Sequence, residues 1–84
     1  MNKVLITVII PTIEMEFNIY IPNNKKIGTI KKYLLQAIKE LTGNMFYKEE
    51  QNTLLLERDS SKELDCDMYV KDSEIKNGSK IIIL

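Results

Sequence analysis

Four consecutive aliphatic residues, Ile81 to Leu84, close the sequence, and this run constrains the fold more than any other feature. Chain ends ordinarily fray into water, where an exposed apolar run favours aggregation. We therefore expect these residues to be covered, as they would be in an interior strand with a neighbour on each side. A chain of 84 residues can build one modest core, so we treat residues 1–84 as a single domain.

Composition narrows the classes of protein that this chain can belong to. The only cysteine, Cys66, cannot form an internal disulfide, which fits a reducing cytoplasm. No segment reaches the roughly 18 apolar residues of a membrane span, and Lys3 before a β-branched run makes a poor signal peptide. Basic and acidic residues number twelve each, so net charge does not favour nucleic acid as a partner. We expect a soluble cytoplasmic protein without nucleic acid and without direct membrane insertion.

Hydrophobic periodicity predicts a β-hairpin followed by one helix. Residues 4–10 are apolar at almost every position, which is typical of a strand that is covered at least partly on both faces. Residues 15–21 alternate between apolar and polar, the pattern of a strand with one wet face. The period then changes to that of an amphipathic helix. The apolar positions of this helix are Ile27, Ile30, Leu34, Ala37, Ile38 and Leu41.

The ends of the helix have candidate capping residues. Asn24 is the first candidate for the N-cap and Thr29 the second, and Gly43 stands where a C-cap glycine belongs. Residues 44–52 have no period, so we expect them to form a loop that packs over the helix end. Its expected anchors are Met45, Phe46 and Tyr47.

The remaining segments predict a third strand at residues 53–58, a short fourth strand around Leu64, and the final strand after the Asn77-Gly78 turn. One helix can cover one face of one sheet, and a right-handed crossover joins the second strand to the third. The pattern indicates an α+β roll: a mixed sheet of four to five strands on a single helix, in the order 2-1-5-3 with a short strand 4.

These residues resemble ubiquitin-like β-grasp proteins. The likeness is most specific at Leu64, in the Val70 to Ile75 stretch, at the Asn77-Gly78 turn and in the final strand. Among bacterial members the chain is most similar to the YukD/EsaB proteins of type VII (WXG100) secretion systems. The resemblance implies a non-catalytic cytoplasmic accessory or regulatory protein, peripheral to the membrane through a protein partner, which would be a membrane component of the secretion system.

Ubiquitin-type modifiers and sulfur carriers end in a flexible Gly-Gly tail, whereas Leu84 ends this sequence and its three glycines are isolated. The resemblance therefore implies that the protein is not conjugated. Two alternatives stay open. One is a carrier or modifier in an adenylation-dependent pathway, and the other is a ubiquitin-like domain cut from a longer secretion membrane component.

The sequence offers little for catalysis, metal binding or a cofactor. It has no histidine, and Cys66 lies between Asp65 and Asp67, whose negative charge disfavours a thiolate. We therefore expect no enzymatic activity and no cofactor. The acidic residues Asp65, Asp67, Asp72 and Glu74 lack the spacing of an EF-hand, so we interpret them as solvated turn residues.

The basic and aromatic side chains near the helix leave two interpretations open. Lysines around the helix start could contact phosphates or an acidic partner, or they could form a solvated helix face, which we favour. The residues concerned are Lys25, Lys26, Lys31 and Lys32. Tyr20 and Tyr33 could stack on a ligand, although single aromatics on half-buried elements usually serve packing.

Strand alternation predicts an apolar sheet face that the helix does not cover. The expected core consists of Ile27, Ile30, Leu34, Ile38 and Leu41 packed on Val4, Ile6, Phe17, Ile19, Leu54, Leu56, Ile81 and Ile83. The predicted protein-binding face consists of Leu5, Ile9, Leu55, Ile82 and Leu84. This face would bind a protein partner or a second copy, unless Lys3, Arg58 and Lys80 lie across it.

Overall fold

The computed structural model describes residues 2–84, which form a five-stranded mixed sheet packed on one side by an α-helix. The elements are β1 (Lys3–Ile10), β2 (Met15–Pro22), α1 (Ile27–Leu41), β3 (Leu55–Glu57), β4 (Lys62–Glu63) and β5 (Lys80–Ile83). The strand order is β2-β1-β5-β3-β4, with β1 and β5 parallel and the other neighbours antiparallel. The predicted fold class and strand order are confirmed.

The final strand, β5, lies in the middle of the sheet between β1 and β3. Beyond it, Leu84 exchanges two backbone hydrogen bonds of 3.0 Å with Leu54, which extends the ladder by one residue pair. Ile81 and Ile83 are each 1% exposed. The aliphatic run is therefore covered in part: Ile81 and Ile82 have paired neighbours on both sides, and Ile81 and Ile83 are buried on the helix side. Leu84, at the end of the run, is 41% exposed.

The core lies between α1 and the sheet face that we call the inner face. Along β1 the buried residues are Ile6, Val8 and Ile10, whereas the alternate positions stay half-buried. The segment between β4 and β5 adds Val70 and Ile75 to this core. The complete set of buried apolar residues is Ile6, Val8, Ile10, Ile21, Ile27, Ile30, Leu34, Ile38, Phe46, Leu55, Val70, Ile75, Ile81 and Ile83. Val4, Phe17 and Ile19 of the expected core are partly buried against it.

The helix begins differently from the prediction. Its N-cap is Lys26, without a side-chain cap, so the assignments of Asn24 and Thr29 as caps are wrong. The first N–H groups of the helix are satisfied instead by main-chain carbonyls: Ile27 N–H donates to Met68 O and Gly28 N–H to Cys66 O, each at 2.9 Å. A side-chain cap is unnecessary because the loop before Val70 supplies these acceptors.

The C-terminal end of the helix agrees in part with the prediction. Gly43 adopts a left-handed φ of 62°, the conformation that ends many helices and favours glycine. Leu41, however, is 57% exposed, so its place in the expected core is wrong. Phe46 is buried at this end instead, and its N–H donates to the Thr42 hydroxyl oxygen at 3.2 Å. The other two expected loop anchors, Met45 and Tyr47, are exposed.

The register of β3 is shifted by one residue from the prediction. Leu55 pairs with Ile83 and is 4% exposed, so it faces the helix rather than solvent. Leu54, expected in the core, is 46% exposed, and Leu56 is half-buried opposite Ile82 on the uncovered face.

The polar neighbours of these leucines explain the error. Thr53 and Glu57 are buried in the same register as Leu55, and each finds a hydrogen-bond partner close by in the chain. The Thr53 hydroxyl donates to Glu49 O at 2.7 Å, and the Glu57 carboxylate accepts the N–H groups of Asp59 and Ser60. Buried polar groups are tolerated when they are paired in this way.

Candidate protein-binding face

The sheet face opposite α1, which we call the outer face, carries a row of residues that crosses all five strands. Pairing places Glu16 beside Ile9 and Ile9 beside Ile82. Ile82 in turn lies beside Leu56, which pairs with Glu63 on β4. Three aliphatic side chains from three adjacent strands therefore form the centre of the row and span about 10 Å at the usual strand spacing. A carboxylate stands at each end.

A second row extends this apolar centre by two leucines. The Leu54–Leu84 pair lies two residues along the strands from Leu56 and Ile82, and therefore on the same face. Both leucines are exposed, at 46% and 41%. We define the outer patch as Ile9, Leu54, Leu56, Ile82 and Leu84. Contiguous apolar residues without a covering element are typical of an interaction surface.

The structure brings together only part of the predicted site. Ile9, Ile82 and Leu84 are adjacent on the outer face. Leu5 also lies on this face, but its neighbour across the hairpin is Tyr20 and its N–H donates to Asn77 Oδ1 at 2.8 Å. A polar row separates Leu5 from the outer patch. This row consists of Asn18, Thr7, Lys80 and Arg58.

The prediction that Leu55 belongs to the protein-binding face is wrong, because Leu55 is buried on the inner face. Leu54 and Leu56 lie on the outer face in its place. Three consecutive leucines contain no alternation from which to choose a face, and the flanking Thr53 and Glu57 are polar, which indicated the opposite register. One feature of the sequence does indicate the correct register of β3. Glu57 stands two residues before an Asp59-Ser60 turn, a position from which a carboxylate can accept the turn's N–H groups.

Charged groups border the outer patch on three sides. Lys80 and Arg58 lie side by side in the polar row, with Arg58 N–H donating to Lys80 O at 2.9 Å. Glu16 and Glu63 stand at the two ends of the central row. On the inner side of β3, hydrogen bonds from the Ser60 and Asp59 N–H groups lower the pKa of Glu57 below its ordinary value. That carboxylate serves the β3–β4 turn and does not contribute to the outer face.

The other candidate groups lie away from the outer patch. Cys66 is exposed next to the start of α1. The acidic residues Asp65, Asp72 and Glu74 line an open groove of about 380 Å³ beside Ile27 and Met68.

The basic and aromatic candidates are also separate from it. Lys25 and Lys26 are exposed, and Lys26 Nζ lies 6.0 Å from the centre of the Tyr69 ring. Lys32 lines a different groove, on the flank of α1. Tyr33 is exposed on the helix and Tyr20 on the edge strand β2. Within residues 2–84, the helix is neither long nor apolar enough to cross a membrane.

Comparisons with known proteins agree with this architecture. A scan against protein-family models and a search of curated proteins gave no match. Solved structures, in contrast, match over the whole chain. The ubiquitin-like domain of an Arabidopsis thaliana protein aligns with a TM-score of 0.74 at 16% identity, over 100% of this chain and 78% of that one. The chain has the ubiquitin-like β-grasp fold.

Two further structures with this fold come from type VII secretion systems. The ubiquitin-like domain of the Mycobacterium tuberculosis protein ECCD1 has a TM-score of 0.74 and 13% identity, covering 100% of this chain and 99% of that one. A chain of an ESX-5 inner membrane complex has a TM-score of 0.79 and 12% identity. The match covers 100% of this chain but only 21% of that one. At such identities the likeness concerns the fold.

Proposed function

We propose that this ubiquitin-like domain is a non-catalytic protein-interaction module that binds its partner through the outer patch. The observation that carries the proposal is the central row, where Ile9, Ile82 and Leu56 lie side by side on a face without a covering helix. Apolar area removed from water contributes roughly 25 cal/mol per Å², although ordering costs reduce what remains as affinity. An aliphatic centre with a charged border is the usual composition of a protein interface.

We further propose a place for the module in a bacterial type VII secretion system, as an accessory or regulatory component. Two lines of support converge. The sequence resembles the YukD/EsaB proteins in the Ile-x-Asn-Gly step, Ile75 to Gly78, before the last strand. The fold is shared with the ubiquitin-like domain of ECCD1 and with part of a chain of the ESX-5 inner membrane complex. The proposed partner is a membrane component of that machinery, which would hold this protein at the membrane indirectly.

In this proposal the protein works by non-covalent contact. The three glycines, Gly28, Gly43 and Gly78, are isolated, and Leu84 N and O are both bonded to Leu54. A second candidate is a ubiquitin-like domain of a longer secretion component, which the 21% coverage of the ESX-5 chain favours. It would use the same outer patch.

Ile82→Asp tests the binding proposal. The side chain is at the centre of the outer patch and half-buried, so a carboxylate there should leave the fold largely intact while it removes binding. Tagged wild-type and variant protein would be used to capture type VII secretion components from the native cell, with mass spectrometry as the readout. Circular dichroism melting would establish that each protein is folded.

Tyr33→Asp is the matched control, because Tyr33 is exposed on α1, away from the sheet. We expect the secretion component to be captured by the wild type and by Tyr33→Asp, and to be lost with Ile82→Asp. Equal capture by the two variants would contradict the assignment to the outer patch. Capture of partners unrelated to secretion, lost with Ile82→Asp, would keep the patch and overturn its assignment to this system.

A further inference from the structure

The strand β2 forms a free edge of the sheet. It pairs with β1 over eight residues and stands at the end of the strand order. The register runs without interruption from Lys3–Pro22 to Ile10–Met15, so no bulge bends this edge away from the plane of the sheet. Natural proteins protect such edges with charged side chains, prolines, bulges or a covering segment. Among these devices β2 carries one charged residue, Glu16, and Pro22 at its end.

The backbone groups that face outward from β2 can be identified from the other side of β1. Thr7 N–H donates to Ser79 O and Leu5 O accepts from Gly78 N–H, so the odd-numbered residues of β1 bond toward β5. The even-numbered residues therefore bond toward β2, where their partners are Met15, Phe17, Ile19 and Ile21. It follows that Glu16, Asn18 and Tyr20 direct their N–H and C=O groups away from the sheet. Within residues 2–84 no backbone hydrogen bond uses these groups.

The side chains along this edge separate by face. Glu16, Asn18 and Tyr20 are exposed on the outer face, while Phe17 and Ile19 are partly buried toward α1. Asn18 is held in place because its Oδ1 accepts the Thr7 hydroxyl at 2.9 Å. A strand that adds here would need apolar side chains on the helix side and neutral or complementary side chains on the outer side.

We propose that the occupant of this edge is a second copy of the chain, whose β2 pairs antiparallel with the first about a two-fold axis at Asn18. In this register Glu16 faces Tyr20 of the other copy, and Asn18 faces Asn18. All three outward-facing residues of each copy then exchange both hydrogen bonds, and Phe17 lies opposite Ile19 on the helix side. A shift of two residues in register removes at least one of these pairs. In one direction an outward-facing residue then lies opposite Pro22, which has no N–H, and in the other it lies opposite a residue before the start of β2. Like charges do not face each other.

The pairing would give the proposed function a second property. A two-fold axis normal to the sheet keeps both helices on one side and both outer patches on the other. The two β5 strands would be five strand spacings apart, which is about 24 Å. Provided that the outer patch is the docking surface proposed above, the dimer presents two such patches to one partner, and binding at both raises the apparent affinity.

Introducing a positive or a negative charge at Asn18 tests the register of the proposed dimer. Sedimentation would follow self-association from about 10 µM to about 2 mM protein, because edge pairing alone makes a small and weak interface. Asn18→Lys and Asn18→Asp each place two like-charged side chains opposite each other across the axis, on Cα atoms about 5.5 Å apart, and we expect each to weaken self-association at least tenfold. A mixture of the two variants pairs opposite charges, so we expect the dimer to return. Asn18→Asp keeps the acceptor for Thr7 and is therefore expected to fold.

Asn24→Lys is the control, since Asn24 is exposed in the loop after β2 and the substitution should leave self-association unchanged. A wild type that stays monomeric up to the highest concentration would overturn the proposal. So would variants at Asn18 that associate like the wild type, or a mixture that fails to associate. Loss of self-association in Ile82→Asp but not at Asn18 would assign the dimer to the outer patch. That result overturns edge pairing and leaves the proposed function standing.

Discussion

The inner and outer faces of the sheet carry similar aliphatic side chains but differ in what covers them. In β5, Ile81 and Ile83 are 1% exposed beneath α1, whereas Ile82 between them is half-buried on the face without a helix. In β3, Leu55 is buried and Leu56, the next residue, is not. The aliphatic side chains on the two faces are therefore chemically alike. Because α1 covers only the inner face, that face forms the core and the outer face is left as a candidate docking surface.

The difference teaches how a small sheet can serve stability and binding together. A chain of 84 residues has room for one core, so aliphatic residues on the second face contribute less to folding and stay available to a partner. Their retention on an open face carries an aggregation risk, which the bordering Lys80, Arg58, Glu16 and Glu63 reduce. Variants that act on one face alone should separate the two roles.

The largest expected effect comes from comparing Leu55→Ala with Leu56→Ala. Leu55 is buried in the core, so its truncation leaves a cavity and should lower the free energy of unfolding by about 2–5 kcal/mol. Leu56 lies on the outer face, and the same truncation should cost about 1 kcal/mol or less. Urea denaturation of both variants provides the measurement. Equal losses, or a greater loss for Leu56→Ala, would show that the inner and outer faces of β3 are assigned the wrong way round.

An intermediate effect is expected for Glu57→Gln, the polar exception on the inner face. Hydrogen bonds from Ser60 and Asp59 lower the pKa of Glu57, so the folded state favours the carboxylate more than the unfolded state does. This contribution is complete above the ordinary glutamate pKa of 4.5 and is lost as the pH falls through the lower pKa of the folded state. At pH 7 the variant should therefore be less stable than the wild type.

The pH dependence separates this electrostatic effect from a steric one. Thermal melts at a series of pH values should show the difference between wild type and Glu57→Gln shrinking below about pH 4.5. Glu63→Gln serves as the control, because Glu63 is exposed on the neighbouring strand. A difference that is constant with pH, or that grows in acid, would exclude the carboxylate as the source of the stability.

The smallest effect is expected at Leu41, at the margin of the area that α1 covers. This residue continues the apolar stripe of the helix in sequence but is largely exposed. Leu41→Ala should therefore change the free energy of unfolding by no more than about 0.5 kcal/mol, whereas Leu34→Ala should cost about 2–5 kcal/mol. A loss at Leu41 as large as that at Leu34 would mean that the covered area extends to the last turn of the helix.

Elements with clear periodicity could be predicted from the sequence. Alternation in β2 predicted the face of Ile21, the expected core included Ile6 of β1, and the spacing in α1 predicted the burial of Ile30 and Leu34. The unbroken aliphatic run of β5 predicted an interior strand, because such a run needs neighbours on both sides. These predictions succeeded because a repeating pattern over several residues leaves one register that buries the apolar set.

Short segments with ambiguous patterns could not be predicted in the same way. The three leucines of β3 fit either register, and only pairing with β5 decided that Leu55 faces inward. The helix begins at Lys26 without a side-chain cap because distant carbonyls, those of Cys66 and Met68, accept its first N–H groups. Both features depend on contacts between segments far apart in the chain.

The sequence by itself determined the element order, the single helix, the interior position of β5 and the existence of an apolar face without cover. Tertiary structure decided which leucines of β3 belong to that face, where the helix begins and that Leu41 lies outside the core. The physical reason is the range of the interactions. The apolar period of a strand or helix is set by residues close together in the sequence. Strand pairing, main-chain capping by a distant loop and the area that the helix covers depend instead on contacts between segments that are far apart in the sequence.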